Sequence, residues 1–146
     1  MEKSINLKET FMEAFRLEEQ DIKTYSPLTL AYIGDAIFEL VVRTVLVERK
    51  NMQPEKLHKA ATKIVKAETQ ALMIEALKED LTEKELAVYK RGRNAKAVTR
   101  AKNATMSEYR RATGFEALMG YLYLNGEIER MIELIRTGVE RAEVTL

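Results

Sequence analysis

Cysteine is absent from this chain, and histidine occurs once, at His58. These absences exclude disulfides, thiolate zinc sites, cysteine nucleophiles and any multi-histidine metal centre, leaving acid–base and metal chemistry mostly to carboxylates and water. With two prolines and six glycines in 146 residues, breaks are few. Few windows alternate with period two, so the chain reads as all-α. No uninterrupted apolar run of about 18 residues occurs. No charged-then-apolar leader precedes a small-residue cleavage site, so a soluble, cytoplasmic protein is expected. Hydrophobic residues make up 46% and charged residues 32% of the sequence, the balance of a globular chain. Without repeats or a linker, one domain over 1–146 is expected.

Punctuation places the helices. Leu7, Phe11 and Phe15, spaced four apart, predict a short amphipathic helix over 6–17. Ser26-Pro27 is a start signal, with serine as cap and proline at the first helical position, for a long helix to about Lys50. Pro54 opens another helix with Leu57, Ala61, Ile64 and Val65 on one side, and residues 67–79 form a further helix, offset by a bend. Thr82 with Glu85 makes a capping box. Gly92 ends that helix, where glycine allows a tight turn. A helix over 107–125 stops at Asn125-Gly126, and the last, 127–143, places Ile128, Met131, Ile132 and Ile135 on one face.

Two acids stand out against this apolar background. Asp35 lies in Leu30-Ala-Tyr-Ile-Gly-Asp-Ala-Ile-Phe-Glu-Leu40, and Glu116 in Gly114-Phe-Glu-Ala-Leu-Met-Gly-Tyr-Leu-Tyr-Leu124. Both stretches read as buried helix, where an ionised carboxylate is costly unless paired, hydrogen-bonded or bound to metal. Gly34, inside the first helix, adds to the anomaly, since glycine costs roughly 1 kcal/mol there against alanine. Two lone carboxylates on two apolar helices suggest a shared divalent cation. The alternative is structural: both acids cap or pair with arginines in the core.

The long helix is also apolar all the way round, through Leu28, Leu30, Tyr32, Ile33, Ile37, Phe38, Leu40, Val41 and Val42. Such a helix must be buried on every side. A two-fold dimer would cover the second face; a central helix within one monomer is the other solution.

Net charge is only +1, but residues 90–111 hold eight lysines or arginines against one acid, Glu108, so the segment carries +7 and the remainder −6. Lys90, Arg91, Arg93, Lys96, Arg100 and Lys102, with Asn94, suit an anionic partner, phosphates being the commonest. A solubilising loop is the plainer reading.

With these residues in view, the chain resembles a ribonuclease III endonuclease domain, most closely the stand-alone mini-ribonuclease III family. Ile33-Gly34-Asp35-Ala36 matches the signature of the long helix. Phe115-Glu116-Ala117-Leu118-Met119-Gly120, followed by Tyr123-Leu124, matches the second motif. Lys90-Arg91-Gly92-Arg93-Asn94-Ala95-Lys96 resembles the basic run between them. The similarity covers about 27–140. With the chain ending at Leu146, no double-stranded-RNA-binding domain is expected. Full-length ribonuclease III carries further acids where this sequence has Leu28, Ala31 and Thr113, so only Asp35 and Glu116 of the usual cluster remain.

The resemblance implies an all-α, homodimeric, Mg²⁺-dependent endoribonuclease that cuts double-stranded RNA and leaves 5′-phosphate ends. Asp35 and Glu116 would be catalytic residues and metal ligands. Lys90, Arg91, Arg93, Asn94, Lys96, Arg100 and Lys102 would hold RNA, and Tyr32 would insert into the partner subunit. The implied substrate is large-subunit (23S) ribosomal RNA precursor, with a large-subunit ribosomal protein as a further partner. The rival from another class is a non-catalytic RNA-binding or ribosome-associated protein that keeps the fold. Glu39, Glu55 and His58 are read as an interface or surface glutamate, a first-turn acid and an exposed decoration.

Overall fold

The structure, a computed structural model, describes residues 6–95 and 104–146. Within them lie seven α-helices and no strand: α1 (Leu7–Ala14), α2 (Pro27–Arg49), α3 (Pro54–Val65), α4 (Ala67–Leu77), α5 (Glu83–Asn94), α6 (Met106–Leu124) and α7 (Ile128–Arg141). The all-α expectation holds.

Local signals set most of the boundaries. The Ser26 side chain accepts from the Thr29 backbone N–H and Pro27 opens α2. Reciprocal capping boxes start α5 (Thr82 with Glu85) and α6 (Thr105 with Glu108). Gly126, at φ +76°, takes the left-handed conformation that ends α6. Helix α1 is shorter than the expected 6–17. Arg16 turns left-handed at φ 53°, and the Leu17 N–H closes back on the Met12 carbonyl at 2.9 Å.

The helix enclosed on every side is α6, not α2. From Ala112 to Tyr123, only Glu116 and Tyr121 escape burial. Helices α2, α4, α5 and α7 all pack on α6. Helix α2 buries one side alone, through Leu30, Ala31, Gly34, Phe38, Val42 and Leu46. Its other side leaves Leu28, Tyr32, Leu40 and Val47 exposed. Phe38 and Phe115 meet edge-on, with ring centroids 5.1 Å apart, in the main core. Helix α7 turns inward Met131, Leu134, Ile135, Gly138 and Val139. Ile132, expected on that face, is 40% exposed.

Two glycines bring α2 and α6 into backbone contact. A Cβ at Gly34 would stand 1.7 Å from the Glu116 carbonyl oxygen, and one at Gly120 would stand 1.9 Å from that of Leu30. Only glycine fits at either place. Gly92 also has a packing role rather than the expected turn role. It is buried in the last turn of α5, and a Cβ there would meet the Ala117 Cβ at 2.7 Å and the Gly114 Cα at 2.9 Å.

Candidate metal centre

The α2–α6 contact places the two anomalous acids. Asp35 follows Gly34 on α2, and Glu116 is the residue whose carbonyl Gly34 touches. Asp35 stands close enough for its carboxylate to act on the Glu116 carboxyl. The sequence expectation that both acids are buried holds for one of them. Glu116 is largely enclosed, while Asp35 lies on the exposed side of α2. Burial pushes the Glu116 carboxyl up to about 8, helped by the neighbouring Asp35 carboxylate; an N–H from Gln70 pulls the other way. No arginine pairs with either acid among the described residues.

Gln70 completes this corner, and the sequence reading missed it. The available signal was slight: an uncharged polar side chain directly before the apolar run Ala71-Leu72-Met73-Ile74. Gln70 is 2% exposed. Its Nε2 donates to the Val65 carbonyl at 2.6 Å and, in a longer contact, to Glu116 Oε2 at 3.4 Å. Its Oε1 is buried with no donor among the described residues. Thr113, where an aspartate was missing from the motif, is buried and donates its hydroxyl to the Tyr109 carbonyl at 3.0 Å. Gln70, Thr113 and Glu116 line one cleft of about 500 Å³ with Thr62, Lys66, Glu68 and Tyr109.

The donor set fits a hard divalent cation. Two adjacent carboxylates are the oxygen donors such an ion takes when water and substrate phosphate complete its shell. A carboxyl held at about 8 by burial and a like charge is one that a cation would return to its ionised form. The orphaned Gln70 Oε1 is an acceptor of the kind that metal-bound water, a donor, can satisfy. No group of three or more His, Asp or Glu side chains clusters among the described residues. Glu39 is engaged with Arg43 at 3.1 Å. Glu55 sits in the first turn of α3, and the exposed His58 lines a separate groove with Arg43, Val47 and Leu57.

The basic residues divide. Lys90, Arg91 and Asn94 are exposed on α5. Arg93 is half-buried, with its guanidinium 5.6 Å from the Tyr89 ring centroid. Lys96, Arg100 and Lys102 lie outside the described residues. Arg93 and Asn94 share a cleft of about 580 Å³ with Lys78, Arg110 and Arg111. The last three were not chosen from the sequence as contacts for a phosphate, though Arg110 and Arg111 belong to the same basic segment. Glu75 neutralises part of the cleft by pairing with both Lys78 and Arg111. Tyr32 stands 82% exposed, one turn from Asp35 on the same side of α2.

The family profile described as Ribonuclease III domain matches residues 28–127, spanning both acid-bearing helices. The chain belongs to the ribonuclease III family. It is 47% identical over 126 residues to a mini-ribonuclease 3 of Clostridium tetani, covering 86% of this chain and 83% of the relative. It is 48% identical over 128 residues to the mini-ribonuclease 3 of Enterococcus faecalis, covering 86% and 97%. A crystal structure of a Fusobacterium nucleatum protein superposes with a TM-score of 0.75 at 33% identity, over 83% of this chain and 97% of that one. The resemblance read from the two short motifs is thereby borne out, and with it the class of the protein: a metal-dependent endoribonuclease of double-stranded RNA. Among the described residues no helix is long and apolar enough to cross a membrane.

Proposed function

We propose that Asp35 and Glu116 hold Mg²⁺ and that the enzyme matures large-subunit (23S) ribosomal RNA precursor in the cytoplasm. The observation that carries this reading is the pair of neighbouring carboxyl groups, brought together by the Gly34 contact with the Glu116 backbone. When bound, Mg²⁺ supplies Lewis acidity and lowers the pKa of a water for hydrolysis of the phosphodiester, giving 5′-phosphate and 3′-hydroxyl ends. The chain's own part is to fix the two carboxylates on rigid helices and to release the Glu116 proton as the ion is taken up.

The exposed side of α2 favours a homodimer. Leu28, Tyr32, Leu40 and Val47 make an apolar surface there, and Asp35 and Ala36 share that side. A two-fold partner would cover Tyr32 and set a second Asp35–Glu116 pair beside the first, one for each strand of a duplex. Lys90, Arg91, Arg93, Asn94, Lys96, Arg100 and Lys102 then hold the RNA through its phosphates and 2′-hydroxyls, as duplex RNA is read by shape. A large-subunit ribosomal protein would add specificity by presenting a structured precursor.

The test is incubation of the purified protein with 23S precursor RNA and with an unrelated duplex, with Mg²⁺ and with chelator, followed by mapping of the ends. Site-restricted cuts in the precursor carrying 5′-phosphates are expected, and only with the metal. Equal cutting of both substrates would remove the assignment of substrate, and 3′-phosphate ends would remove the chemistry.

A further inference from the structure

We propose that Gln70 is a positioning residue of this enzyme, orienting the Glu116 carboxylate and accepting a hydrogen bond from a water of the metal shell. The inference rests on the reading of Asp35 and Glu116 as metal ligands.

The corner between α3 and α4 gives Gln70 its rigidity. The chain turns at Lys66, whose extended backbone ends one helix and starts the next. Two side chains from the first turns of α4 close that corner. Thr69 Oγ1 donates to the Lys63 carbonyl at 2.6 Å, and Gln70 Nε2 donates to the Val65 carbonyl at 2.6 Å. The second bond decides the orientation of the amide. Only Nε2 can face a carbonyl oxygen at that distance, so Oε1 must point elsewhere. Nε2 has a second hydrogen, and Glu116 Oε2 lies 3.4 Å from it. A long contact of this kind tightens when the carboxylate is drawn into a working geometry.

The arrangement departs from core economy. A 2% exposed glutamine with an undonated oxygen costs more than an apolar side chain of the same shape, which would fill the space without an orphan acceptor. A role confined to closing the corner leaves Oε1 unexplained. Both features are accounted for if the amide serves the cleft it lines with Glu116 and Thr113. One hydrogen then restrains Glu116, and Oε1 accepts a hydrogen bond from water that the carboxylates and the cation hold. Outer partners of this kind commonly govern metal affinity and activity by about 10- to 100-fold.

The test uses Gln70→Met, close to glutamine in length and without either bond, in the full chain. Mn²⁺ binding is measured by calorimetry without RNA, and cleavage kinetics are measured with Mg²⁺. We expect the Mn²⁺ dissociation constant to rise about tenfold or more and kcat to fall by a similar factor, with KM for RNA within about twofold of wild type. A residue that merely closes the corner would lower the melting temperature and leave both quantities unchanged, and that result would overturn the proposal. Gln70→Asn covers the case in which the methionine variant does not fold. Its amide is one methylene too short to span from Val65 to Glu116, so the same loss of Mn²⁺ affinity is expected, and wild-type affinity would count against the idea. Glu116→Gln separates the two levels. If it leaves Mn²⁺ binding intact, the metal site itself is wrong. If it abolishes binding while both Gln70 variants bind normally, only the role of Gln70 falls.

Discussion

Gly34 and Glu116 meet backbone to backbone: the Cβ that any other residue would carry at position 34 would lie 1.7 Å from the Glu116 carbonyl oxygen. This contact sets how far Asp35, the next residue, stands from the Glu116 carboxyl. Gly34→Ala must push α2 away from α6, and backbone cannot yield as a side-chain tip can. We expect a loss of roughly 2–4 kcal/mol, lowering Tm by about 10 °C. Cleavage should fall even at temperatures where the variant is folded, because the carboxyl pair separates. A variant that melts like wild type and cuts at the same rate would show that the contact is looser than it stands here.

Asp35→Asn and Glu116→Gln should each abolish cleavage and leave the helical fold intact. Asp35 is exposed, so its replacement disturbs no packing. Glu116 is largely enclosed, and an amide there matches the shape of the neutral carboxyl that burial favours. Far-UV circular dichroism and gel assays on duplex RNA check both halves. Near wild-type cutting by either variant at saturating Mg²⁺ would remove that residue from the site.

The raised Glu116 carboxyl gives a pH dependence with a definite sign. Its folded value, about 8, lies above the ordinary 4.5, so between these limits the folded state binds more protons than the unfolded. Stability of the metal-free protein therefore falls as pH rises through that window, by at most a few kcal/mol, and the penalty is complete above about 8. Metal uptake must expel the same proton. Apparent affinity for Mg²⁺ should rise by up to about tenfold per pH unit below 8 and then level off. Thermal melts in chelator at pH 5, 6.5 and 8, set beside metal titrations at the same pH, measure both. Glu116→Gln should flatten the pH slope of the metal-free melts; an unaltered slope in that variant would assign the titration to another group.

How much of this was legible in the sequence depends on how local each cause was. Helix starts at Ser26-Pro27 and Thr82, and the stop at Asn125-Gly126, are written in cap residues whose partners lie within a few positions. The end of α1 was misplaced because Arg16 adopts a left-handed conformation that its residue type does not announce. The two acids were readable as anomalies, and their order and spacing gave the family. The exposure of Asp35 was not readable, because an all-round apolar helix looks the same whether its second face meets its own chain or faces outward. Gln70 gives little signal because, next to Glu68 and Thr69, it reads as part of a polar first turn of its helix. The enclosure of α6 depends on four helices that pack on it from distant parts of the chain.

A homodimer through the outward side of α2 is expected at micromolar concentration. Tyr32, 82% exposed, belongs to the apolar surface there. Tyr32→Asp should weaken association by on the order of 3 kcal/mol, about a hundredfold in dissociation constant, because it would desolvate an unpaired charge. Light scattering decides the matter. A wild-type mass of 16.8 kDa at that concentration would exclude the dimer.

The basic segment should hold RNA rather than carry out the chemistry. Arg91 projects from the exposed side of α5, and Arg93 lies against Tyr89 at the edge of the cleft shared with Arg110 and Arg111. Neither contacts Asp35 or Glu116 in a hydrogen bond or ion pair among the described residues. Neutralising Arg91, Arg93 and Lys96 together should weaken RNA binding, and the slope of log affinity against log salt should flatten by roughly 0.7–0.9 for each phosphate contact removed. At saturating RNA the rate should largely survive, because losing an interaction that serves ground state and transition state alike raises KM and spares kcat. Unchanged affinity with lost turnover would instead make these residues part of the reacting centre. The salt slope is the sharper readout, since a general loss of folded protein would lower binding capacity without changing it.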